Sequence, residues 1–213
     1  MMAAVRPAAG LSLRMGRPKL LLPWGEGQII LGHLVHTLHS GGASPMRVIP
    51  GSDHTRVEAA RSDVPVRCLC NPDFVQGGML PSIKLGLQSL QSQPLEAAML
   101  APADLPWLPA ETLRRLAQEW ECRQAPVLVP SRRSRRGHPL VVARGCWPGI
   151  RALRRDETLG DFLQINPERL ADLEVNDPGT GKDIDAPDDD SDKGSGGLAA
   201  KPCLPAGPRS HVA

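Results

Sequence analysis

The feature that most constrains this fold is an alternation. Short apolar runs of strand length are separated by segments whose apolar residues recur at helical spacing. Residues 3–5, 46–49, 66–70, 97–100, 127–129, 140–143 and 173–175 read as strands. Between them Ile30, Leu34 and Leu38 share a helical face that stops at Gly41-Gly42. Ile83, Leu87 and Leu90 follow the same spacing, as do Leu113, Leu116 and Trp120 behind the start signal Pro109. This order predicts one α/β domain of Rossmann-like type, three-layered, with a mostly parallel central sheet and right-handed crossovers. A chain of 213 residues accommodates one such core. In sheets of this kind ligands collect outside the carboxyl ends of the strands, so the residues just after each strand carry the functional argument.

Composition narrows the partners. Two Phe, four Trp and no Tyr leave little aromatic surface on which nucleic-acid bases could stack, and a net charge of +2 provides no global field toward DNA or a membrane. No apolar run approaches bilayer-spanning length, and the arginine-containing first 25 residues lack the apolar stretch of a secretory signal, so a cytoplasmic location is expected. Five cysteines form no CxxC pair and read as reduced thiols, with Cys68 and Cys70 expected on one strand face. From residue 186 the chain turns to Asp, Gly, Ser, Pro and Ala. The domain is therefore expected to span residues 1–187, with 188–213 a disordered tail.

Five segments can carry chemistry. The first strand is followed by Ala8, Ala9, Gly10, Leu11 and Ser12, small enough in the main for backbone amides to approach phosphate oxygens, with Arg14, Arg17 and Lys19 as countercharge. The plain alternative is a solvated surface loop. After the 97–100 strand, Asp104 can hold Mg2+ through oxygen, or can simply serve as a turn or cap residue. Asp183 and Asp185 would share one strand face, or begin an acidic tail. Asn71-Pro72-Asp73-Phe74 leads through Gly77 and Gly78 to Ser82, either an anion-binding loop and helix start or an ordinary cap. Arg132, Arg133, Arg135 and Arg136 precede Gly137, His138 and Pro139, a run able to neutralise an anionic phosphate or to stand as a solvated loop.

Together these segments resemble one family. The string PAAGLSLRMGRPKLLLPW, ending at Trp24, resembles the signature of the MobA-like nucleotidyltransferases. Pro102-Ala103-Asp104-Leu105-Pro106 is similar to that family's GDxP turn, Asp183-Ile184-Asp185-Ala186-Pro187-Asp188 to its DIDTPED, and residues 71–82 to its NPxxxxGMxxSLxxG. Arg136-Gly137-His138-Pro139 matches its RGHP. The Ala8-Ala9-Gly10 spelling is most similar to molybdenum cofactor cytidylyltransferases. The resemblance covers about residues 3–189. It implies transfer of CMP from CTP to molybdopterin with release of pyrophosphate, in a Mg2+-dependent reaction. Under it Ala8, Ala9, Gly10, Leu11, Ser12, Gly78 and Ser82 bind the nucleotide, and Arg14 and Lys19 neutralise its phosphates. Asp104 and Asp185 hold the metal, and Arg136, Gly137 and His138 face the acceptor. A client molybdenum enzyme is a possible partner. Transfer to a sugar or alcohol phosphate, or non-catalytic delivery of cofactor to a molybdenum enzyme, stand as alternatives. Three departures from the family spelling favour the non-catalytic one: Arg6 and Pro7 in the first strand, where a proline cannot donate to a sheet ladder, and Ala103 in place of a glycine.

Overall fold

A computed structural model describes residues 1–8, 19–25, 27–51, 54–59, 66–73 and 78–182. The elements in chain order are β1 (Met2–Ala8), a 3-10 turn (Lys19–Leu21), β2 (Pro23–Trp24), β3 (Gln28–Ile29), α1 (Ile30–Ser40), β4 (Met46–Pro50), α2 (His54–Ala59), β5 (Val66–Cys68) and α3 (Leu80–Ser89). There follow β6 (Ala97–Leu100), α4 (Ala110–Arg123), β7 (Val127–Arg132), β8 (Arg135–Arg136), β9 (Leu140–Ala143), α5 (Trp147–Ala152), α6 (Leu159–Gln164) and β10 (Leu170–Glu174). The main sheet runs β10-β7-β9-β6-β1-β4-β5, with β8 hairpinned onto β7. Strand β9 is antiparallel to both neighbours, while β1, β4, β5 and β6 are mutually parallel, as are β7 and β10. The expected mostly parallel α/β sheet is the observed one.

Burial on both faces explains why the strands read as unbroken apolar runs. Side chains of β1 alternate between two cores. Met2 and Ala4 join Ile30, Leu34 and Leu38 of α1 and Leu113, Leu116 and Trp120 of α4 on one face. Ala3 and Val5 join Ile83 and Leu87 of α3, Ile150 of α5 and Phe162 of α6 on the other. Helix α3 lies so close to β1 that a Cβ at Gly86 would overlap a methyl of Val5.

Since β1 pairs with β4 on one side and β6 on the other, and the chain leaves it in both directions, β1 marks the topological switch point of the sheet. Pro7 is accommodated there without loss. The amide of Ala101 donates to Val5 O at 3.0 Å, so the proline nitrogen two residues on points toward β6. Pairing with β6 has already ended at Val5 and Leu100, whereas pairing with β4 continues to Ala8 and Pro50. No ladder bond is forgone. Pro81 is equally benign in the first turn of α3, where its missing N–H has no partner to lose.

Some expected boundaries move. Strand β5 stops at Cys68, so the exposed Cys70 lies beyond it and the two thiols do not share a strand face. Strand β10 begins at Leu170, three residues before the expected start. Cys70, Cys122 and Cys146 are free thiols. No helix among the described residues is long and apolar enough to cross a membrane. The expected tail, 188–213, lies outside the described residues.

The arginine run expected as a loop is a tight hairpin. Arg133 and Ser134, between β7 and β8, have φ of 51° and 63°, the left-handed pair of a two-residue turn that usually recruits Asn or Gly. Replacing Ser134 with glycine removes the Cβ penalty at that position. Ser134→Gly is expected to raise stability by up to about 1 kcal/mol, read as a higher denaturant midpoint at unchanged slope.

Candidate functional site

Two strand ends meet at the switch point. The ladder between β1 and β6 is prolonged by the Ala101 to Val5 bond, and Arg6 Nη1 then donates to Pro102 O at 2.7 Å. These two tethers on successive residues hold the turn that presents Asp104. Ala103 stands within it without a positive φ, so a residue with a Cβ fits here as well as glycine. Asp104 itself is half-buried.

Strand alternation sends Arg6 to the α1 face of the sheet and Pro7 to the α3 face. Arg6 is only 2 % exposed. Burial lowers its guanidinium to a pKa of about 9, against the attraction of Asp104, and it stays protonated at neutral pH. Close by, His33 of α1 lies with Nε2 2.8 Å from Pro106 O and its ring against Trp24. Trp24 meets Trp107 edge to face, and Lys182 Nζ sits 4.2 Å from the centre of the Trp107 ring. This aromatic group packs around the chain that follows Asp104.

On the opposite face, beyond Pro7, opens a cavity of about 550 Å3, within the range that holds a small-molecule ligand. Leu100, Pro102, Val129 and Leu140 give it an apolar wall; Gly78, Arg136, Gly137 and His138 stand among its polar lining. Four expected binding residues, separated by nearly 60 positions in sequence, therefore face one space. His138 adds an unusual element: its Nδ1 is buried without a hydrogen-bond partner. Burial pushes the imidazole below the ordinary histidine value, while Asp104 pulls the other way. His138 is thus neutral near pH 7 and can bond a ligand without adding charge.

Gly137 is required by its surroundings. Its amide donates to Pro130 O at 2.8 Å, that of His138 to Thr180 O at 2.8 Å, and a Cβ at 137 would overlap the Thr180 carbonyl oxygen. The 178–180 turn is itself anchored, because Asp177 accepts from Thr112 Oγ1 at 2.7 Å and from the Gly179 amide at 2.8 Å. Hence the last described residues run beside both the His138 segment and Trp107.

Ala8 closes β1, and Lys19 opens the 3-10 turn. Ala9, Gly10, Leu11, Ser12, Arg14 and Asp185 lie outside the described residues. Gly78 takes a φ of 62° at the cavity edge. Ser82 is fully buried inside α3 and accepts from Asn71 Nδ2 at 3.0 Å, so it ties the loop to the helix and is not the cap; Met79 holds that position. Arg136 lines the cavity, yet its guanidinium makes a two-pronged bond to Asp172 at 2.7 and 2.9 Å, which holds it in place.

Sequence reasoning missed the segment at 155–160, which forms another side of the cavity through Arg155, Asp156, Glu157 and Thr158. A signal was present: Thr158 and Asp161 make a reciprocal capping box at the start of α6, and that three-residue spacing is readable in a sequence. It also treated Arg6 only as a departure.

For a divalent cation, the donor chemistry fits. An oxygen ligand at a strand end, completed by substrate phosphates and water, suits Mg2+, and Asp104 offers that ligand. No group of three or more His, Cys, Asp or Glu side chains gathers among the described residues, so the protein's share of such a site is small there.

The two lowered histidines have a consequence for acid stability. His33 and His138 both hold protons less tightly in the folded state than in the unfolded chain, chiefly because they are buried. Their contribution is complete above the ordinary histidine value and is lost as pH falls below it. Melting temperature is expected to drop between pH 7.5 and 5.5, and to drop less in His33→Gln and His138→Gln. A flat profile in the wild type would contradict the burial of both rings.

A family model described as the MobA-like NTP transferase domain matches residues 5–173. The chain is 28 % identical over 189 residues to the molybdenum cofactor cytidylyltransferase of Escherichia coli, covering 85 % of this chain and 90 % of that one. It is also 28 % identical over 185 residues to the nicotine blue oxidoreductase of Paenarthrobacter nicotinovorans, with 84 % and 89 % covered. Among solved structures, Rv0371c of Mycobacterium tuberculosis superposes with a TM-score of 0.74 at 23 % identity over 89 % of this chain and 95 % of that one, a likeness of fold. A second structure of that protein is a complex with manganese.

Proposed function

The chain belongs to the MobA-like NTP transferase family, and from that premise we propose that it transfers CMP from CTP to a molybdopterin-type acceptor, releasing pyrophosphate. The observation that carries this reading is the convergence of Gly78, Arg136, Gly137 and His138 on one cavity beside Asp104 at the switch point. The 28 % identity to a molybdenum cofactor cytidylyltransferase supports the choice of nucleotide and acceptor.

In this mechanism the acceptor's terminal phosphate oxygen attacks the α-phosphorus of CTP, and the bond to the bridging oxygen of pyrophosphate breaks. A phosphate monoester has a second pKa of about 6, so the nucleophile is already anionic and needs no general base. Neutral His138 positions the acceptor by hydrogen bonding. Arg136, held by Asp172, contributes a fixed positive charge at the cavity. Arg14 and Lys19 neutralise the triphosphate, and amides at residues 8–12 cradle it. Asp104 and Asp185 would hold Mg2+, which supplies Lewis-acid charge at the phosphates.

A second reading rests on the equal identity to nicotine blue oxidoreductase and on the apolar wall of the cavity. Under it the chain would oxidise or reduce an organic substrate without nucleotidyl transfer. Pyrophosphate release from CTP in the presence of molybdopterin, repeated with GTP and ATP, separates the two. Its absence with all three nucleotides overturns the cytidylyltransferase reading.

Nucleotide choice gives a further expected outcome. Residue 9 is alanine where a glycine would carry no side chain, and on this reading a one-methyl difference near a base discriminates by roughly 1 to 3 kcal/mol. CTP should exceed GTP in kcat/KM by about tenfold or more, and Ala9→Gly should reduce that ratio. Equal values for the two nucleotides would remove the steric argument.

A further inference from the structure

We propose that Arg6 is a positioning residue for Asp104 and that its fixed, buried positive charge weakens the affinity of that carboxylate for a divalent cation. The proposal rests on the reading of Asp104 as a metal ligand and adds a residue to which that reading gave no role.

The first observation is one of place. Arg6 sits on the central strand next to the switch point, where its neighbours on the same face are Met2 and Ala4. Nothing about the α1 core calls for a cation there. Its guanidinium is nonetheless 98 % hidden, donates through Nη1 to Pro102 O, and leaves Nε without a partner. A hidden cation with an unpartnered donor is costly unless an anion compensates it. Asp104 is the acidic group whose charge acts on it.

The second observation is one of connection. Pro102, whose carbonyl Arg6 holds, lies two residues before Asp104 in the same turn. Through this bond Arg6 orients the turn before any cation arrives. Its charge then opposes a divalent ion approaching that carboxylate, because like charges inside a protein are screened far less than in water. The arrangement exchanges metal affinity for a pre-oriented ligand.

The test is binding of Mn2+ alone to the full chain, followed by electron paramagnetic resonance without nucleotide. Arg6→Gln removes the charge and keeps a polar amide; Arg6→Lys keeps the charge. Mn2+ should bind about fivefold or more tightly to Arg6→Gln, while Arg6→Lys stays near the wild type. Tight binding in Arg6→Gln with binding too weak to measure in the wild type also supports the proposal. Should Arg6→Gln fail to fold, Arg6→Met is read in the same way. Unchanged or weaker binding in the charge-free variants overturns the proposal, as does absence of Mn2+ binding in every variant. An Asp104→Asn control separates the two levels. Wild-type Mn2+ affinity in that control overturns the metal reading of Asp104 itself. Loss of Mn2+ there, together with unchanged affinity in Arg6→Gln, overturns the role of Arg6 alone.

Discussion

Asp104→Asn is expected to lower kcat/KM by about 100-fold or more, with partial recovery at raised Mg2+. The substitution keeps an oxygen and the size of the side chain, so the loss would reflect charge. The turn that carries residue 104 is tethered by the Ala101 amide and by the Pro102 carbonyl, and neither bond involves the carboxylate. The fold should therefore persist. Some loss of melting temperature is still expected, because the buried Arg6 cation loses the anion that attracts it. Activity is accordingly compared per folded molecule. Asp185→Asn should cost less, and the double variant should fall short of the product of the two losses, since residues that share one ligand are not independent. Full activity in Asp104→Asn, or independent effects, would place the metal site elsewhere.

The largest effect on stability is expected from Gly137→Ala. Added methyls in tight places usually displace a flexible neighbour, but here the obstacle is the carbonyl of Thr180, part of a turn pinned by Asp177. Relief requires the 137–138 segment or the 178–180 turn to move, and either motion breaks the bond from His138 N–H to Thr180 O. A loss of about 2 to 4 kcal/mol is expected, read from denaturant unfolding, together with a raised acceptor KM as the lining of the cavity shifts. Gly145→Ala is the control, for a Cβ there meets no atom within 4 Å. Equal stability of the two variants would contradict the packing described.

Much of the architecture was legible because burial imposes it residue by residue. Strands buried on both faces must be apolar throughout, which made 97–100 and 140–143 readable to the residue. Helix α1 buries Ile30, Leu31, Leu34, Val35 and Leu38, so its period was plain. Short elements were not legible. The β7 to β8 hairpin turns on Arg133 and Ser134, residues that carry no turn signature, and the six-residue α5 and α6 are too brief for a period to show.

At the site the division is sharper. The chemical inventory follows from residue order: which carboxylates, cations and glycines follow which strands, and hence the family to which the motifs are similar. Which of them share a space depends on contacts between residues distant in the chain, and local periodicity is blind to those. Folding brings Gly78 and His138 to one cavity, sets Arg136 against Asp172 and turns Ser82 inward. It also reversed the meaning of Arg6 and Pro7. In sequence a proline and an arginine in a central strand look damaging. In the fold the proline nitrogen points where pairing has already ended, and the arginine reaches the turn of Asp104, because strand alternation and sheet order, properties of the whole assembly, set the direction of each.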